Sequence, residues 1–210
     1  GGTNGTMGFD AFASLAGYDN YYGRKEYNNE KDFDGNWGIW DEEFLQYSLK
    51  MISEKQQPFF ATVFTLSSHH PYSIPAKHAG KFKSGLLPIH ISVRYTDYAL
   101  RQFFASAKKT TWFKNTLFVL VADHTSISED PFYTNKVGNN TIPIIFYSGD
   151  RSLKAMDSTV IQQIDIMPSV LDYLHYPAAY FGFGNNAFDT TQSHYAFSYS
   201  NDAYQLVDHK

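Results

Sequence analysis

The chain has no cysteine. Disulfides and thiolate chemistry are thereby excluded, and any metal must be held by imidazole and carboxylate groups. The absence fixes no compartment, because cysteine-free chains occur in reducing and oxidising ones alike. A basic excess is missing too. The net charge is −4 with no long basic run, which argues against nucleic acid as a partner. No apolar run approaches the roughly 18 residues that span a bilayer, and no signal-peptide pattern is visible. Several familiar motifs are also lacking. Ser67 and Ser68 precede His69, yet no Gly-x-Ser-x-Gly elbow supports a serine hydrolase. No His-Glu-x-x-His marks a zincin, and Gly182-Phe183-Gly184 lacks the third glycine and the strand-to-helix setting of a phosphate loop.

What is present is apolar bulk. With 43% hydrophobic residues, 210 residues suit one domain with a sizeable core. Aromatics reach 18%, which fits either aromatic strands or a ring-rich surface near carbohydrate or lipid headgroups. The opening Gly1-Gly2, without an initiator Met, reads as a piece of a longer polypeptide; a tag scar is the rival explanation of the two glycines.

Phe59 to Leu66 and Thr116 to Ala122 are near-continuous apolar runs, as expected of strands buried on both faces of a parallel sheet. A third strand, Ile142 to Tyr147, contains Pro143 and so belongs at a strand start or sheet edge. Asp41-Glu42-Glu43 predicts the cap of a helix running to about Ile52, with Leu45, Leu49 and Ile52 on its buried side. Helical spacing recurs from about Ile91 to Lys108, through Val93, Tyr95, Ala99, Leu100, Phe103, Phe104 and Ala107. Asp165 caps a third helix that tolerates Pro168 in its first turn. Alternating strands and helices argue for an α/β layered fold. Beyond Phe188 the pattern changes to a hairpin, residues 195–199 and 204–207 around Asn201-Asp202. The expected organisation is thus a main unit, 1–188, and a hairpin, 189–210, of the same domain.

Two strand ends deliver chemistry. Asp123-His124 directly follows the run 116–122, and ligands collect at the carboxyl ends of strands in open α/β sheets. A carboxylate oxygen beside an imidazole nitrogen is half of a Zn²⁺- or Mn²⁺-type site. Alone, the dipeptide reads sooner as a helix N-cap followed by a surface histidine. Ser67-Ser68-His69-His70-Pro71-Tyr72 follows the other run, and in a parallel sheet both ends open onto one rim. Glu129-Asp130 reads as a solvated loop. His78, His90, His175, His194 and His209 show no partner pattern and read as structural or exposed.

Phe118 to Thr125 resembles the sulfatase and lipoteichoic acid synthase group of the alkaline phosphatase superfamily. The resemblance continues, in order, through Pro58-Phe59-Phe60, Ser68-His69-His70-Pro71-Tyr72, Tyr95 to Leu100, Asn140 to Ile145, Gln163 to Leu171 and Phe181 to Gly184; residues 1–23 look like the family's mid-region. Each motif is short, and their order and spacing carry the likeness. The resemblance implies an α/β/α sandwich of alkaline phosphatase type, here incomplete at the N-terminus, with a C-terminal antiparallel hairpin. It implies a divalent metal (Mn, Zn, Mg or Ca) held partly by Asp123 and His124, and contact of His69 with the transferred group; His70 fills a variable slot and ranks below it. The nucleophile and a further acidic ligand are expected upstream, so that the chain by itself is expected to be inactive and prone to self-association. The intact parent is expected to be a membrane-anchored extracytoplasmic or periplasmic enzyme acting on phosphate or sulfate esters, lipid- or glycan-linked, through a covalent intermediate. The Trp and Arg that lipoteichoic acid synthases carry near Met7 and Phe9 have no counterpart, which leaves phosphoglycerol- or phosphoethanolamine-type transfer and sulfate ester hydrolysis open. The alternatives are a non-catalytic module binding envelope glycan or polymer, and a degenerate family member.

Overall fold

In the computed structural model, residues 1–200 and 202–208 are described. Two long helices carry the core. The first, α3 (Asp41–Ser53), buries Phe44, Leu45 and Ser48; the second, α4 (Ile89–Ala107), buries Ser92, Tyr95, Ala99, Phe103 and Ala107. Spacings of three and four keep these positions on one face. Leu45, Ala99, Phe103, Ala107, Trp112 and Phe113 form the central cluster, with Phe59, Val63, Phe118 and Tyr147 packed against it. Ala99 and Ala107 are fully buried, so the small side chains let α4 approach its neighbours closely. Val93, expected in the apolar stripe, instead faces solvent.

Shorter helices complete the order: α1 (Phe9–Leu15), α2 (Arg24–Tyr27), α5 (Pro131–Thr134) and α6 (Ile166–Tyr173). Strand β1 (Leu117–Val121) pairs with β2 (Ile144–Ser148) from Leu117 opposite Ser148 to Val121 opposite Ile144. Pro143 stands immediately before β2, where a missing N–H costs no ladder bond. The hairpin β3 (Ala196–Ser200) and β4 (Ala203–Val207) follows as its own antiparallel pair, as the sequence predicts. Asn201 of its turn and His209 lie outside the described residues. Phe197 N donates to Gln162 Oε1 at 3.0 Å and ties the hairpin to the entry of α6.

Three expectations need correction. The run 116–122, expected in a parallel sheet together with 59–66, instead forms β1 and pairs antiparallel with β2. Residues 58–66 form no strand among the described residues, although the run is apolar. Phe59 and Val63 lie on the core while Phe60 and Phe64 point outward, so the segment is covered on one face only. An apolar run reports which side chains avoid water, but strand pairing needs a neighbouring backbone. Finally, the Asp165 carboxylate does not cap the first turn of α6. It accepts from Gln162 N and Asn185 N, both at 2.8 Å, and Pro168 is buried in that turn. Gly184 is needed beside it, because a Cβ there would lie 2.1 Å from the Ile164 carbonyl oxygen.

Candidate functional site

Strand β1 ends at Val121, and the next turn presents Asp123 and His124 with side chains 58% and 69% exposed. His124 N donates to Asp123 Oδ1 at 2.9 Å, while Asp123 Oδ2 stands 3.5 Å from His124 Nε2. His124 Nδ1 lies 2.5 Å from the Thr125 carbonyl. A carbonyl only accepts, so Nδ1 carries a hydrogen and Nε2 is the ring nitrogen available to a cation. One carboxylate oxygen and one imidazole nitrogen are left side by side, and the backbone bond to the far ring nitrogen orients the imidazole as in many metal-bound histidines. The pair therefore fits half of a divalent cation site. Among the described residues, no group of three or more His, Asp or Glu side chains could hold a metal.

Supports from elsewhere fix this turn. Gln163 Nε2 donates to the carbonyls of Ala122 (2.9 Å) and Asp123 (3.0 Å). Thr125 Oγ1 donates to Asn139 O at 2.5 Å. Beyond the pair, Thr125, Ser126, Ile127, Ser128, Tyr133, Thr134 and Asn139 line an open groove of about 600 Å³.

The second loop is built on α3. Asp41, in the first turn, is 2% exposed. Its carboxylate accepts from Leu66 N (2.8 Å), Ser67 N (3.1 Å) and Thr96 Oγ1 (3.0 Å), and Asp41 N donates to Ser67 Oγ at 3.1 Å. Burial pushes the Asp41 carboxyl up, and these hydrogen bonds oppose it. Ser67 is thus buried in a structural clamp, away from any nucleophilic role. Just beyond, His69 is exposed, with Nδ1 3.0 Å from His70 O and its ring edge-on to Trp37 at 4.3 Å between centroids.

Tyr72 OH and Ser126 Oγ, 3.5 Å apart, join the two loops. The structure gathers Asp123 and His124 into one pair and sets His69 in a separate arrangement with Trp37. His69 is not a third member of a metal-binding group. Sequence reasoning missed three residues here. Asp41 looked like a helix cap, since three consecutive acids are indistinguishable until tertiary contacts single one out. Gln163 was legible only as part of a longer stretch, and Trp37 lay in none of the stretches the sequence singled out. His78, thought to lack a partner, is buried and 2.7 Å from Glu42 Oε2, amid Phe82, Tyr95 and Tyr98.

The fold and this site define a class. A protein in the alkaline phosphatase superfamily from Vibrio parahaemolyticus superposes over 88% of this chain and 46% of its own, with a TM-score of 0.74 and 26% identity. The lipoteichoic acid synthase LtaP from Listeria monocytogenes gives a TM-score of 0.76 over 88% and 51%, at 22% identity, a likeness of fold. The architecture is accordingly the α/β/α sandwich of the alkaline phosphatase superfamily. Within it, the Sulfatase family model matches residues 2–176, and the chain belongs to that family. Among curated relatives, lipoteichoic acid synthase-like YvgJ of Bacillus subtilis is 31% identical over 125 residues, covering 57% of this chain and 20% of its own. Lipoteichoic acid synthase 1 of the same organism is 26% identical over 172 residues, covering 74% and 27%. The chain thus spans about a quarter of the length of these relatives. Members of this superfamily are generally metal-dependent, which agrees with the donor pair at the end of β1. No helix among the described residues is long and apolar enough to cross a membrane.

Proposed function

We propose that this domain belongs to an extracytoplasmic, membrane-anchored enzyme that transfers or hydrolyses phosphate or sulfate esters, with Asp123 and His124 holding a divalent cation and His69 binding the transferred group. The observation that carries the reading is the 3.5 Å approach of Asp123 Oδ2 and His124 Nε2, with the other ring nitrogen tied to Thr125 O. A solvated surface pair needs no such tether; a ligand pair does. When bound, a cation supplies positive charge against the oxygens of the transferred group and lowers the pKa of a coordinated hydroxyl.

The chain's own residues hold and orient. His69 has Nδ1–H committed to His70 O, so Nε2 is its working atom. Protonated there, it donates to a non-bridging oxygen or to the departing ester oxygen. In the transfer a nucleophilic hydroxyl loses its proton, its oxygen bonds to phosphorus or sulfur, and the ester bond breaks with the departing alcohol taking a proton. Water or an acceptor alcohol then attacks the covalent intermediate and restores the hydroxyl. The nucleophile and a further acidic ligand are assigned to parts of the domain outside the stretch shared with this chain.

The test is activity of the full-length protein toward an aryl phosphate and an aryl sulfate ester. Asp123→Ala should reduce turnover by at least roughly a hundredfold, the scale expected when a metal site loses a ligand or its support. Full turnover by that variant, on the ester the wild type uses, contradicts the assignment.

A further inference from the structure

The indole of Trp37 has a role that packing alone does not explain. Its backbone is fixed on both sides: Asp34 Oδ1 accepts from Trp37 N at 2.8 Å and Gly38 N at 3.1 Å, and Thr3 N donates to Trp37 O at 2.9 Å. A Cβ at position 38 would lie 2.2 Å from Gly1 O, so only glycine lets this segment run so close to its neighbour. From that rigid base the side chain crosses to a loop 33 residues away, and Nε1–H donates to His70 O at 2.7 Å. The same carbonyl oxygen receives His69 Nδ1 at 3.0 Å. Its two lone pairs are therefore shared between the indole and the imidazole. The ring of Trp37 also stands edge-on to that of His69, which restricts rotation of the imidazole.

We propose that Trp37 is a positioning residue for His69: by anchoring the His70 carbonyl and flanking the imidazole, it holds His69 as the Nδ1–H tautomer and leaves Nε2 as the atom that takes up a proton and then donates to a substrate oxygen. The substrate-facing part of this statement rests on the function proposed above; the tautomer and its dependence on Trp37 do not. A histidine in water favours the Nε2–H form, so the opposite tautomer requires a hydrogen bond to keep it. His124 shows the same device, with Nδ1 on Thr125 O but no indole nearby, and serves as an internal control.

The experiment is long-range ¹H–¹⁵N spectroscopy of the histidine rings in the 210-residue chain, at about pH 8 where an unperturbed imidazole is neutral, with His69→Gln to assign the His69 signals. Wild type should show His69 mainly as Nδ1–H. Trp37→Phe, which keeps an aromatic ring and removes the donor, should shift the tautomer ratio toward Nε2–H by about fivefold, the equilibrium equivalent of one ordinary hydrogen bond. Trp37→Leu, which also removes the ring, should shift it at least as far. The His124 ratio should not move. A wild-type His69 that is mainly Nε2–H overturns the proposal, and settles it even where both variants fail to fold. An unchanged ratio in Trp37→Phe, or an equal change at His124, overturns it as well. Because no metal, substrate or turnover enters the measurement, its failure is separate from failure of the functional reading.

Discussion

Asp41, Glu42 and Glu43 are adjacent in sequence and do three different things. Asp41 is buried and clamps the chain entering the His69 loop. Glu42 meets His78 Nε2 and Lys77 Nζ, each at 2.7 Å, and Glu43 pairs with the same lysine. Removing the Asp41 carboxylate strands two backbone N–H groups and the Thr96 hydroxyl in a buried site. Asp41→Ala is therefore expected to lose roughly 3 kcal/mol of stability in urea unfolding; a loss below about 0.5 kcal/mol, the range of ordinary surface changes, contradicts the clamp. Glu42 sets part of the acid limb. Burial works to raise its pKa, but hydrogen bonds from His78 and Lys77 win, and the carboxyl sits below its ordinary value of 4.5. The unfolded chain then takes up this proton at higher pH than the folded one. The contribution of Glu42 is present above about pH 4.5 and disappears as pH falls through the lower folded value. Glu42→Gln should accordingly show a shallower loss of stability on acidification than wild type, and parallel curves refute the sign. At this scale residue type singled out Asp123, His124 and His69 as candidates, because few side chains suit the proposed chemistry. Asp41, Trp37 and Gln163 were not, because an acid, an indole or an amide acquires its role from a partner distant in sequence.

Among the elements, the helices were the most legible, since apolar positions at three- and four-residue spacing mark a single buried face. The expected helix from Asp41 to about Ile52 is α3, and that from Ile91 to Lys108 is α4 within two residues at either end. The hairpin was also visible, from alternation around a polar turn. Pairing was not: the run 116–122 looked like a member of a parallel sheet together with 59–66, yet it pairs antiparallel with 144–148, and 58–66 pairs with nothing described. Continuous apolar runs specify burial without direction or register. The tight seat of α4 has a measurable consequence. Ala99 is fully buried in the central cluster, so Ala99→Leu should overpack it and cost about 1–3 kcal/mol. A neutral effect in thermal or urea unfolding would show that the helix face has room.

For the whole molecule, one surface stands apart. Phe60 is 77% exposed and Phe64 also faces outward on the unpaired segment 58–66, with Phe9 packed on Phe64 and Tyr18 on Phe60; Met7, Phe12 and Leu15 are exposed nearby in sequence. A segment outside any sheet among the described residues, beside exposed rings, favours association. Light scattering of the 210-residue chain should show a mass that rises with concentration, and a constant monomer mass contradicts this. Two donors rarely hold a divalent ion tightly, so the chain should bind Mn²⁺ weakly and show little catalysis by itself.

The cation pair at the end of β1 is tested most directly by following the histidine ring signals of this chain as Mn²⁺ is added. Paramagnetic broadening should begin at His124, require more than micromolar Mn²⁺, and vanish in Asp123→Ala. Broadening centred on another histidine, micromolar-tight binding, or an Asp123→Ala chain that responds like wild type would contradict it.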